Sequence, residues 1–169
     1  LIQAQQLAGM YTQSATPVLA VTKAAAASAA LKSFVFSSGK DSVDAVNQLL
    51  KKLQPDTTWI QVQLLDVNRK QIAALTTTLD DSIQLTSILP GYPATADTNV
   101  ISKLYIKDEA FYYAVCGAVL HDGQLIGYLV RWRKQHTSKE NVDRVVKLLG
   151  NEVLLYVGNV DGGLWSNLQ

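Results

Sequence analysis

Leu7, Met10, Val18, Val21, Ala25 and Val35 recur at helical spacing through a stretch, residues 1–36, that is otherwise dominated by alanine, glutamine, serine and threonine. Only Lys23 and Lys32 are charged there, so one apolar stripe runs along a helix with almost no charge opposite. Pro17 interrupts the pattern: either one long helix kinks at that point, or a second helix starts with Thr16 as its cap. The pattern favours a long helix with a kink. Ser37-Ser38-Gly39 ends it, Asp41 is placed to cap a second, short helix, and Val43, Val46, Leu50 and Leu53 share that helix's apolar face before Pro55.

From Trp59 the period changes from helical to alternating. Ile60, Val62 and Leu64 alternate with Gln61 and Gln63, which predicts a half-buried strand. Asp66-Val67-Asn68-Arg69 predicts a turn, and a second strand follows near Ile72–Thr77. A short helix is expected over Asp80–Leu89, then an irregular loop opening at Pro90-Gly91-Tyr92-Pro93. Three strands are expected next, over Ser102–Lys107, Phe111–Leu120 and Leu125–Lys134, the last two joined at Asp122-Gly123, a two-residue hairpin signal. Thr137 and Glu140 form a capping box for a helix that buries Val142, Val145, Val146 and Leu149 and stops at Gly150. A strand over Val153–Val157 and a return segment through Leu164 and Trp165 complete the order. Ala114–Leu120 and Gly127–Val130 are apolar on both sides, so the sheet they form must be covered on both faces. The fold class is α+β.

Composition narrows the functional classes. A chain of 169 residues supports one domain, read here as helices over 1–54 and a sheet core over 57–169. A net charge of +1 with scattered basic residues gives no electrostatic footprint for nucleic acid. Cys116 is the sole cysteine, which excludes an intrachain disulfide or a cysteine-based zinc site. No Asn-x-Ser/Thr acceptor occurs, and no stretch of about 18 apolar residues is present. The chain begins at Leu1 and reads as an internal segment of something longer.

The pattern resembles that of the Cache family of sensor domains. The likeness rests on Ala29–Phe36 followed by Val43–Leu53, on the hairpin Val62–Leu75, on Asp122–Val130 with its Asp-Gly turn, and on Leu148–Leu168 at the end of the chain. It covers nearly the whole chain. The resemblance implies a PAS-like antiparallel sheet with a long N-terminal helix on one face and a short helix and loop on the other. It further implies an extracytoplasmic (periplasmic) ligand-sensing domain of a bacterial membrane-spanning receptor, not an enzyme and without a cofactor, whose output is a histidine kinase, a cyclase or a chemotaxis module. A protein-interaction module for a periplasmic partner and a cytoplasmic PAS or GAF regulatory domain are the alternatives.

The candidate ligand residues are Tyr105, Phe111 and Tyr113 on adjacent strands, and Arg131 and Arg133, which share one face of the next; Tyr92 in the loop is a further addition. A buried arginine facing aromatics holds a carboxylate well, so the expected ligand is a small molecule such as a carboxylate or an amino acid. The alternative for the two arginines is pairing with acids at the sheet rim. The alanine-rich helix face is read both as a homodimer interface and as an intramolecular packing face.

Other chemistry fails on its own requirements. His121-Asp122 lacks the further ligands of a metal site, since the chain holds only His121 and His136. A calcium loop opening at Asp66 would need glycine and glutamate where Gln71 and Thr77 stand. Gly158–Gly163 is followed by no Lys-Ser/Thr pair, so it reads as a hairpin, not a phosphate cradle. Cys116 sits mid-strand, where a desolvated thiol stays protonated.

Overall fold

The computed structural model describes residues 16–76, 100–107, 110–135, 143, 146–147, 156–158 and 165–167. The described helices are α1 (Thr16–Ala26), α2 (Ala29–Phe36) and α3 (Val43–Lys52). The strands are β1 (Trp59–Asp66), β2 (Gln71–Thr76), β3 (Val100–Ile101), β4 (Tyr105–Lys107), β5 (Ala110–His121), β6 (Gln124–Gln135), β7 (Tyr156–Gly158) and β8 (Trp165–Asn167). The fold is α+β, and every strand pair among the described residues is antiparallel.

The main sheet has the order β2-β1-β6-β5-β3, with β4 also pairing β5. Both ends of the hairpin logic read from sequence are realised. At Asp122-Gly123 both residues have positive φ, 50° and 77°, the conformation that matches a two-residue turn to strand twist. At the β1–β2 turn, Asp66 Oδ1 accepts the Lys70 amide at 2.8 Å and Arg69 takes a left-handed φ of 66°. The β7–β8 pair forms a separate two-stranded sheet. Asp143, Val146 and Lys147 are helical. The expected helix over 80–89, the loop containing Tyr92 and the capping box at Thr137 lie outside the described residues.

Helices α1 to α3 pack on one face of the main sheet. Their core comprises Ala25, Ala26, Leu31, Phe34 and Val35 from α1 and α2, Val46 and Leu50 from α3, and Leu53, against Val62, Leu64, Val119 and Leu129 of the strands. Each fully buried leucine or valine there contributes about 1.5–3 kcal/mol. Two sequence expectations are corrected on this face. Val21 is 51% exposed and Thr22 is buried in its place. Val43 likewise points outward, while Val46, Leu50 and Leu53 are buried as expected.

Within the described residues the N-terminal helix bends at Ala27–Ser28, by 58°; the chain before Thr16, on which a kink at Pro17 depends, lies outside them. Ser28 is extended (φ −65°, ψ 142°) and its side chain makes no cap bond to α2. The reason is phase. A straight helix that buries Thr22, Ala25 and Ala26 would next turn Ala29, Lys32 and Ser33 inward. The break advances the phase so that Leu31, Phe34 and Val35 are buried instead. Among the described residues, no single helix is long and apolar enough to cross a membrane. Asp41 does not cap α3: the cap position is Ser42, in the left-handed region at φ 58°, and Ser37 Oγ accepts the amides of Lys40 and Asp41.

Candidate functional site

The pleat of β6 divides the sheet's two faces residue by residue. Leu129 and Arg131 point to the helices; Tyr128, Val130 and Trp132 belong to a second buried cluster with Ile60, Leu65, Ala114 and Cys116. Tyr105, Tyr112 and Leu125 pack against that second cluster. Register places Gln61 opposite Trp132 and Gln63 opposite Val130 on the neighbouring strand, and both glutamines are buried. An irregularity between Trp59 and Gln61 puts Trp59 under the arginines, while Ile60 joins the second cluster.

The arginines are committed to the helix side. Arg131 is 3% exposed; its Nη1 donates to Thr22 Oγ1 at 3.0 Å, its Nη2 to the Leu53 carbonyl at 2.7 Å, and its guanidinium lies 3.8 Å from the Trp59 ring centroid. Burial, aided by the neighbouring Arg133 charge and opposed by Tyr113, lowers its pKa to about 10. Arg133 donates from Nε to Thr58 Oγ1 at 3.2 Å and from Nη1 to Tyr113 Oη at 3.3 Å. Thr58 Oγ1 in turn bonds Asp56 Oδ1, so the threonine hydroxyl stands between Arg133 and a rim carboxylate. Hydrogen bonds from Thr58 are also the main reason the Asp56 carboxyl is held below its ordinary range.

The expected aromatic and basic residues therefore do not form one cluster. Arg131, Arg133 and Tyr113 meet on the helix side, and Phe111, two residues before Tyr113 on β5, is buried. Tyr105 lies on the opposite face, its ring 6.3 Å from that of Trp132. Tyr92 lies outside the described residues. Arg131 and Arg133 bond Thr22, Leu53, Thr58 and Tyr113 and lie over the Trp59 ring, so the contacts they make here are within the protein.

The second face has a different chemistry. Trp132 is fully buried, and its indole N–H has no hydrogen-bond partner among the described residues. A buried donor left so costs about 1–3 kcal/mol, and a ligand acceptor would recover it. Around it stand Val130, Ala114 and Cys116, with the amides of Gln61 and Gln63 on β1; Gln63 Nε2 donates to Gln71 Oε1 at 2.9 Å. Burial raises the Tyr105 hydroxyl's pKa against the pull of Lys103. The half-buried Arg69 brings a positive charge close enough to act on the Cys116 thiol. This is a mostly apolar floor with a few polar groups, the composition of a small-molecule pocket. Sequence reasoning passed over Gln61, Gln63, Arg69 and Trp132. The available signal was alternation: whatever shares a face with Arg131, its neighbours Val130 and Trp132 must face the other way.

Cys116 is chemically quiet. Burial pushes its thiol from an ordinary 9.0 up to about 12, Arg69 pulling the other way. The unfolded state then loses this proton near pH 9 while the folded state keeps it, so folded stability falls as pH rises from 9 toward 12. Relative to Cys116→Ala, the wild-type unfolding free energy is expected to drop by up to about 1.4 kcal/mol per pH unit in that window. Urea titrations of both proteins from pH 8 to 10.5 check this; a constant difference between them would refute it.

No protein-family model matches the chain, and no curated protein matches it. Among solved structures, the ligand-binding domain of the Campylobacter jejuni chemoreceptor Tlp3 in complex with L-valine aligns at 17% identity and a TM-score of 0.43, over 86% of this chain and 66% of that one. The sensory domain of the same chemoreceptor with isoleucine bound aligns at 17% identity and a TM-score of 0.42, with the same coverage. This chain thus spans just under two thirds of the length of those chains. No residue is carried across at that likeness.

Proposed function

We propose that the chain is the extracytoplasmic ligand-sensing domain of a membrane-bound signalling receptor, of the Cache type that its sequence resembles, and that it takes a small molecule on the sheet face away from the helices. The observation that carries this reading is the division of labour across the sheet. One face is filled by α1–α3, and the other is a buried, mostly apolar floor on which the Trp132 N–H has no partner among the described residues. The ligand groups proposed are Trp132, Gln61, Gln63 and Tyr105, with Arg69 at the margin for a ligand that carries a carboxylate. Cys116 is buried and its thiol is held protonated, which speaks for binding over nucleophilic attack on this face.

A homodimer through the outer face of α1 fits this role, because Ala20, Val21, Ala24 and Ala27 are exposed and small enough for close helix approach. A periplasmic location and a histidine kinase, cyclase or chemotaxis output complete the proposal.

Thermal shift with amino acids, short carboxylates, amines and nucleobases tests the site. At least one class is expected to raise the melting temperature, and Trp132→Phe, which keeps a ring and removes the N–H, is expected to weaken that ligand about tenfold. No shift from any class, or a shift untouched by Trp132→Phe, would remove the proposed site and favour a protein-partner role.

A further inference from the structure

Among the described residues of α1, the buried positions are Thr22, Ala25 and Ala26, two of them methyl side chains that bury little apolar surface. Its junction with α2 is a 58° bend at a serine whose Oγ is buried and has no partner among the described residues. Thr22 links α1 to the sheet by polar contact: its Oγ1 donates to the Val18 carbonyl at 2.8 Å and accepts from Arg131 at 3.0 Å.

Arg131 stands one residue from Trp132 and one from Val130, on the same strand but with its side chain on the opposite face. Its second arm grips the Leu53 carbonyl at the end of α3. No carboxylate among the described residues pairs with it, and its Nε has no partner there. A carboxylate would lock the guanidinium in one bidentate pose. A hydroxyl, a carbonyl and the Trp59 ring hold it in a pose that follows the strand. A shift of β6 by a few tenths of an ångström stretches one of the two arms. Because packed elements have discrete arrangements, the response is release or re-engagement of α1 about Ser28.

We propose that Arg131 is a positioning residue that passes the state of the Trp132 face to α1 through Thr22. The trigger rests on the ligand reading above, whereas the coupling belongs to the unliganded chain and is tested without any ligand. The measurement is amide hydrogen exchange in the full chain for four proteins: wild type, Trp132→Phe, Arg131→Met and the double variant. Trp132→Phe is expected to speed exchange across α1 roughly tenfold and across α2 less than about threefold. In the Arg131→Met background the same change is expected to alter α1 exchange by less than about twofold, because the connection is already cut. Equal acceleration in both backgrounds, or acceleration spread evenly over α1 and α2, overturns the proposal; a merely structural Arg131 gives that additive result. If circular dichroism finds Arg131→Met unfolded, Thr22→Val takes its place in the cycle with the same two outcomes. Non-additivity together with a failed ligand screen would uphold the connection and reject the ligand site; additivity with a successful screen would do the reverse.

Discussion

Trp132→Ala is expected to lower the unfolding free energy by about 3–5 kcal/mol, the cost of emptying a buried indole site. For a domain of this length that is a fall of roughly 6–20 °C in melting temperature. The reasoning is local. Trp132 is among the largest fully buried side chains, in the centre of the sheet between Ala114 of β5 and Gln61 of β1. Its neighbours on that face, Ala114, Cys116 and Val130, are small and cannot collapse into the space. Trp132→Phe separates packing from polarity: it removes an N–H that has no partner among the described residues, so its stability cost is expected to stay below about 2 kcal/mol. Chemical denaturation of the two variants with matched slopes checks the ordering. A Trp132→Ala loss under about 1 kcal/mol would mean that the face is already roomy and that the tryptophan is not part of its packing.

The strand pattern was legible because it depends on neighbours in sequence. Alternation over Ile60–Leu64 and the Asp122-Gly123 turn are local signals, and β1, β5 and β6 fall where those signals put them. The pairing of Arg131 and Arg133 on one face was legible for the same reason. Which face that is was not, because it is decided by contacts with Thr22 and Leu53, 109 and 78 residues away in sequence. The bend at Ser28 stands between these cases. No proline or glycine marks it, yet a straight helix would bury Lys32 and Ser33, so the apolar phase itself called for a break. Ile60, grouped with Val62 and Leu64 by alternation, was misplaced by a different cause. The irregularity between Trp59 and Gln61 adds a residue to β1, and a one-residue slip exchanges faces. Residue type pointed to Arg131, whereas its alternating neighbour Trp132 faces the other side of the sheet.

The same dependence on distant packing governs Gly127, where the second large effect is expected. A Cβ at this position would stand 2.3 Å from the Leu65 carbonyl oxygen and 2.9 Å from Val35 Cγ1. The first neighbour is backbone of β1, fixed by its ladder with β6; the second is a buried side chain of α2. Neither contact is tolerable, so Gly127→Ala must push β1 and α2 away from β6 together. The cost is expected near 3 kcal/mol, the upper end for overpacking, because a ladder strand cannot yield as a side chain does. Gly123 is the matched control: it needs its positive φ of 77°, yet a Cβ there meets nothing within 4 Å. Gly123→Asn is therefore expected to cost well under 1 kcal/mol, asparagine being tolerant of that conformation. The double variant Gly127→Ala, Val35→Ala discriminates between the two clashes. If Val35 were the obstacle, the second substitution would restore most of the loss. Since the nearer atom is the Leu65 carbonyl, no net recovery is expected, and a urea midpoint returning to that of Val35→Ala alone would show that the helix, not the strand, requires glycine at this position.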